Sequence, residues 1–144
     1  MKVIRKATSN DIAAIEQVVG QAGLQTNGIT ENIGNFLIME NGYDQLITAV
    51  VGFELHNNIG LLRSLVMSDQ SDHVTVLQLI KAVLQYANNN GIKQLYLCTL
   101  HSSTIALFEM IGFKIEENTP IDIQLFDHFQ MIQNEKPIIM KYTF

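Results

Sequence analysis

Arg63 is one of only two arginines in the chain, and it stands inside an otherwise apolar run, Leu61-Leu62-Arg63-Ser64-Leu65. A guanidinium in such a run needs an anionic partner, because burying an unpaired charge is costly. Alternation along a strand puts Leu61, Arg63 and Leu65 on one face. Glu54, on what reads as the adjacent strand, is one candidate partner. A substrate carboxylate held by the guanidinium fork is the other. In that second case Glu54 is available as a general base acting through water. Both readings stay open on the residues alone.

The remaining reactive side chains point to less. The four histidines, His56, His73, His101 and His128, show no pair with metal-ligand spacing on one helix face, so no metal site is expected. Cys98 is the single cysteine and lies in an apolar, β-rich run, where it reads as a small core residue rather than a nucleophile. One cysteine also excludes an internal disulfide. No G-x-S-x-G elbow is present.

The elements that would carry these residues follow from periodicity and turn chemistry. Val3 to Ala7 reads as a strand, and Thr8-Ser9-Asn10-Asp11 is a helix start. Ile12, Ile15, Val18 and Val19 then repeat at helical spacing. Gln21 to Gly28 is a loop, and Thr30 to Asn35 a short second helix. Three strands follow, Phe36 to Glu40, Leu46 to Leu55 and Ile59 to Met67, with loops short enough for antiparallel neighbours. Asp72 to Asn89 is the strongest helix, with Val76, Leu77, Leu79, Ile80, Val83, Leu84 and Ala87 on a wide apolar face and Gly91 as its stop. Ile92 to Thr99 is a strand, Ser102 to Ile111 a helix stopped by Gly112, and Phe113 to Glu116 a strand. Thr119-Pro120 opens a helix with the face Ile121, Leu125, Phe129 and Ile132. Pro137 to Phe144 closes the chain as a strand.

Size and composition bound what such an assembly can do. A chain of 144 residues, 47% apolar, buries enough surface for one domain spanning 1–144, without disulfides or structural metal. Charged residues are 16%, against a typical about 25%, and Asn and Gln supply much of the polar surface. The net charge of −5 argues against nucleic acid and against an anionic membrane surface. No apolar run approaches the about 20 residues of a membrane span, and the start Met1-Lys2-Val3-Ile4-Arg5-Lys6 carries no signal core, so a cytoplasmic protein is expected.

The stretch from Ile59 to Phe113 resembles the Gcn5-related N-acetyltransferase (GNAT) superfamily. That family shows a strand ending V-x-P, a Q/R-x-x-G-x-G/A loop, a long helix, a strand, and then N-x-x-A-hydrophobic-x-x-Y-x-x-x-G-F. Here Val66-Met67-Ser68 ends the strand, Ser71 to Val76 lies in the loop register, and Leu77-Gln78-Leu79-Ile80 follows. The closing block runs from His101 to Phe113 and ends Phe108-Glu109-Met110-Ile111-Gly112-Phe113. Gly28-Ile29, Asn35-Phe36-Leu37-Ile38, Leu62-Arg63-Ser64-Leu65 and the Pro120 to Phe144 tail also look like the arsenic-resistance N-acetyltransferase branch.

The resemblance implies an α/β (α+β) acyl-CoA N-acyltransferase fold: one domain, with a mixed central sheet of about seven strands flanked by helices. It implies acetyl-CoA in a V-shaped opening between two parallel strands. Backbone amides of Leu65, Val66 and Met67 would meet the pantetheine arm. Ser71, Asp72, His73, Val74 and Thr75 would surround the pyrophosphate, and His101 and Phe108 would complete the cofactor contacts. Arg63 and Asn35 would face a small-molecule amine that attacks the thioester directly.

The loop departs from the family pattern. Ser68-Asp69-Gln70-Ser71-Asp72-His73-Val74-Thr75-Val76 has no glycine and no Lys or Arg. Helix N-termini bind phosphates through free N–H groups, glycines permit close approach, and basic residues add charge. Asp69 and Asp72 instead bring negative charge, at a cost on the order of 3 kcal/mol per pair at ~5 Å and an effective dielectric near 20. Phe108 also replaces the family's general-acid tyrosine. Three readings follow: an acetyl-CoA-dependent N-acetyltransferase; a catalytically impaired relative in which acetyl-CoA binding is weak or lost; and an interaction domain forming a homodimer through the Pro120 to Phe144 tail.

Overall fold

The computed structural model describes residues 2–67 and 73–144, the side chain of His73 excepted. Seven strands form one sheet: β1 (Lys2–Lys6), β2 (Phe36–Asn41), β3 (Ile47–His56), β4 (Ile59–Met67), β5 (Gln94–Thr99), β6 (Lys114–Glu116) and β7 (Ile138–Thr143), in the order β1-β2-β3-β4-β5-β7-β6. Four helices accompany them: α1 (Ile12–Gln21), α2 (His73–Asn89), α3 (Ile105–Ile111) and α4 (Asp127–Ile132). The mixed sheet with flanking helices is the expected fold class.

Residue contacts divide the chain into two compact units, Met1–Phe53 with Arg63–Leu84, and Glu54–Leu62 with Gln85–Phe144. In the first, β1 pairs antiparallel with β2, and β2 with β3. Its core joins Ala7, Ile15, Val19, Ile29, Phe36, Ile38 and Val50, with Val66 packed against them. Ile15 and Val19 lie one helical turn apart, which is why the spacing in α1 announced a buried face. Phe36 stands opposite Gly52 in the β2–β3 register. A Cβ on Gly52 would lie 2.5 Å from that ring, so the aromatic fills the space the glycine leaves.

In the second unit β7 lies between β5 and β6 and is antiparallel to both. Leu61, Tyr96, Ile123, Phe126, Phe129 and Ile139 form its core. A row of rings, Phe108, Phe113, Tyr142 and Phe144, packs at centroid separations of 5.8, 5.4 and 4.9 Å. Gly91 and Gly112 stop α2 and α3 at φ +80° and +125°, a conformation glycine adopts without strain. Each stop is closed by a bond across the turn, Ile92 N–H to the Ala87 carbonyl and Phe113 N–H to the Phe108 carbonyl.

Two expected helices come out differently. Residues 30–35 form turns and one 3-10 turn at Ile33–Asn35, as befits a segment holding Gly34. The helix expected after Pro120 is broken: a 3-10 turn at Asp122–Leu125, an extended Phe126 (φ −88°, ψ 132°), then the short α4. Ile121 and Leu125, assigned to its buried face, are 83% and 58% exposed. The buried residues are Ile123, Phe126 and Phe129, spaced by three. Apolar side chains stood in both registers, and the break at extended Phe126 buries Ile123, Phe126 and Phe129 although the three lie in different local conformations.

Candidate active site

The parallel register of β4 with β5 comprises Ile59–Gln94, Gly60–Leu95 and Leu61–Tyr96. There it ends, while β4 continues to Met67 and β5 to Thr99. Gly60 stands where a Cβ would come 2.9 Å from Leu95 Cδ1, so the paired end is closely packed. Parallel neighbours need a crossover, and α2 supplies it.

Beyond the paired end, Ser64 adopts φ +61°, a left-handed conformation in the middle of a strand. This is rare and costly for a residue with a Cβ. It interrupts the alternation on which Leu61, Arg63 and Leu65 were expected to share a face. Leu61, Leu62, Arg63 and Ser64 are all buried, whereas Leu65, Val66 and Met67 are half-buried. The strand end expected to meet a pantetheine arm is therefore half-buried, in contrast to the buried stretch from Gly60 to Ser64.

Arg63 is 3% exposed. Its Nε donates to Ser64 Oγ at 3.0 Å and its Nη2 to the Gln25 carbonyl at 3.2 Å. The guanidinium thus ties the strand at its left-handed residue to the loop after α1. Sequence reasoning missed both acceptors. A serine inside an apolar strand beside the arginine was a signal for one; a loop carbonyl leaves none.

Glu54 is 6% exposed and accepts the His128 backbone N–H at 3.2 Å, in the first turn of α4. A carboxylate there satisfies a helix-end donor and faces the positive end of the helix dipole. The His56 ring meets Phe126 edge-on at 6.2 Å, so the end of β3 anchors this segment twice. The carboxylate expected as a general base thus also holds the backbone of α4.

The pyrophosphate register divides. Ser71 and Asp72, with Ser68, Asp69 and Gln70, lie outside the described residues, as does the His73 side chain. In the first turns of α2, Val74 is 60% exposed and Thr75 is buried.

His101 has an exposed side chain and a pinned backbone. Its N–H donates to Thr99 Oγ1 at 3.2 Å, and its carbonyl accepts from Thr104 Oγ1 at 2.8 Å. The two threonine hydroxyls bond one another at 2.8 Å. Phe108 is 6% exposed and begins the aromatic row described above. Asn35 is half-buried at the start of β2, its N–H donating to the Asn32 carbonyl at 2.8 Å.

Cys98 is half-buried, and burial pushes its thiol up to about 12, which suits a core residue and not a nucleophile. Among the described residues no cluster of three His, Cys, Asp or Glu can hold a metal ion. No helix among them is long and apolar enough to cross a membrane.

No protein-family model matches the chain. It is 29% identical over 140 residues to the uncharacterized protein YwlB of Bacillus subtilis strain 168, covering 96% of this chain and 95% of that one. Among solved structures it resembles Rv2747 from Mycobacterium tuberculosis in complex with CoA (TM-score 0.78, 16% identity, 99% of each chain). It also resembles N-acetylglutamate synthase from Neisseria gonorrhoeae complexed with coenzyme A and N-acetyl-glutamate (TM-score 0.75, 18% identity, 99% of this chain). The chain spans 35% of that synthase's length. The PaiA N-acetyltransferase of Thermoplasma acidophilum in complex with coenzyme A gives a TM-score of 0.68 at 15% identity, with 100% and 99% coverage. The strand order, the parallel β4–β5 pair and these likenesses together give the chain the acyl-CoA N-acyltransferase fold of the GNAT-family acetyltransferases.

Proposed function

We propose that residues 1–144 act as a single acetyl-CoA-dependent N-acetyltransferase domain on the amine of a small molecule, in the cytoplasm. The observation that carries this reading is the course of β4. Its parallel ladder stops at Leu61, yet the strand runs on to a half-buried end at Leu65, Val66 and Met67. Strand backbone offers N–H donors whatever its side chains are, so such a site tolerates sequence drift. CoA in the solved structures of the same fold supports it.

When bound, acetyl-CoA supplies the activated acetyl group. The chain's part is to hold and orient. Backbone amides at 65–67 would hold the pantetheine arm and could stabilise charge developing on the carbonyl oxygen. Positioning the amine supplies much of the rate. Arg63, with its Nε and Nη2 turned inward, serves this reading by fixing the loop at Gln25 rather than by presenting those two donors to substrate. The resemblance of Leu62-Arg63-Ser64-Leu65 and Asn35 to the arsenic-resistance branch supports an amino-acid-like acceptor, with Asn35 and the Arg63 guanidinium as its proposed contacts.

A second reading rests on specific residues: a weakened or inactive relative that binds a ligand or partner. Phe108 has no hydroxyl to protonate a leaving thiolate, and Asp69 and Asp72 bring two negative charges to the sequence register of the family's phosphate loop. Thermal shift with acetyl-CoA, followed by thiol release with a panel of amines, separates the two. A cofactor user is stabilised, by about 2.7 kcal/mol at a hundredfold excess over Kd, and releases thiol with an amine. Stabilisation without thiol release across the panel selects the second reading. No shift at millimolar acetyl-CoA overturns the first reading and leaves the second, in its form with cofactor binding lost. Asp72→Gly is expected to tighten CoA binding, by up to about a hundredfold at low salt for ~3 kcal/mol; unchanged or weaker affinity contradicts the charge argument.

A further inference from the structure

The sheet ends on two strands, β1 and β6. Exposed strand edges invite pairing with another chain, and proteins guard them with charge. The two edges differ in how a second copy would meet them. On β1, antiparallel self-pairing about Ile4 sets Lys2 against the partner copy's Lys6, so like charges face each other at both ends. On β6, the same operation about Ile115 sets Lys114 against Glu116 of the other copy, twice, by two-fold symmetry. One edge repels its own copy and the other complements it.

We propose that β6 is a homodimer interface, with two copies adding edge to edge about Ile115. The local charges favour this occupant. Lys114 lies opposite Lys141 in the β6–β7 register. Lys141 is held by Glu116 at 3.0 Å. The other copy's Glu116 gives Lys114 an anion of its own, since a carboxylate accepts from several donors. Ile115 is 44% exposed, and the two copies of it face each other at the axis. The interface uses neither β4 nor α2, so it is independent of acetyl transfer.

Sedimentation of the full chain over a wide concentration range tests the proposal, together with three variants. The wild type is expected to dimerise reversibly. Lys114→Glu creates two like-charged pairs and is expected to raise the dimer Kd roughly tenfold or more. Lys114→Glu combined with Glu116→Lys restores the alternation, keeps an acidic residue opposite Lys141, and is expected to recover the dimer. Ile115→Cys places two thiols across the axis, at a Cβ separation of ~4.5–5.5 Å, and is expected to give a covalent dimer on mild oxidation. Cys98, with its thiol pushed up to about 12, leaves the wild type uncrosslinked under the same conditions. Circular dichroism confirms that each variant is folded. A concentration-independent monomer with no link at position 115 overturns the proposal. So does a dimer indifferent to the charge variants that fails to crosslink there.

Discussion

Two residues show what the reading demands of single side chains. Asp11 accepts both Arg5 Nη groups at 2.9 Å and the Thr8 N–H at 2.8 Å, and the guanidinium also reaches Glu40 at 3.1 Å. The Arg5 hydrogen bonds hold the Asp11 carboxyl down at about 2. A depressed carboxylate stabilises the fold above its unfolded pKa near 4, and that contribution drains away as pH falls through about 2. Arg5 is 36% exposed, so solvent screening limits the effect to about 1 kcal/mol. Urea denaturation is expected to show Asp11→Asn costing that much at pH 7 and nearly nothing near pH 2. A pH-independent difference contradicts the assignment. Ser64 carries the second demand. Ser64→Ala removes the acceptor of a buried Arg63 Nε–H and is expected to cost ~1–3 kcal/mol. Ser64→Val loses the same acceptor and strains a β-branched residue at φ +61°, so it is expected to cost more. Equal stability of the two variants in urea rules out backbone strain at this position.

Among the elements, most of the regular ones were legible in the sequence, for physical reasons. The apolar face of α2 repeats at helical spacing, and Leu79, Ile80, Val83 and Ala87 are fully buried. Gly91 and Gly112 marked two helix ends because few other residues adopt positive φ there without cost. The tail from Pro120 was illegible because its apolar residues allow more than one buried set, and the core contacts of Ile123, Phe126 and Phe129 go with a break at extended Phe126. Ser64 was illegible because a left-handed residue within a strand leaves no trace in hydropathy. The β2–β3 pair yields a test of its own. Gly52→Ala drives a methyl into Phe36, a fully buried ring, and is expected to cost ~1–3 kcal/mol by overpacking. Thermal melts of Gly52→Ala beside Gly52→Ala with Phe36→Leu measure it: the smaller partner is expected to recover part of the loss. A loss unrelieved by it points to the backbone rather than to the ring.

At the scale of the molecule, the proposed site lies where the β4–β5 ladder stops. Arg63 and Ser64 stabilise the strand just before its half-buried end, while Glu54 and His56 fasten the tail. The sequence thus points to a proposed place, the end of β4, more readily than to a set of side chains. Arg63 and Glu54 stood out as unusual charges, but among the groups they hold are a hydroxyl, a loop carbonyl and a backbone amide that no motif announces. Amide hydrogen exchange at Leu65, Val66 and Met67, followed by NMR with and without acetyl-CoA, tests the central claim most directly. The account predicts saturable slowing of exchange at these three amides, retained in His101→Ala and Phe108→Leu. Exchange there that is unmoved at millimolar acetyl-CoA would contradict it.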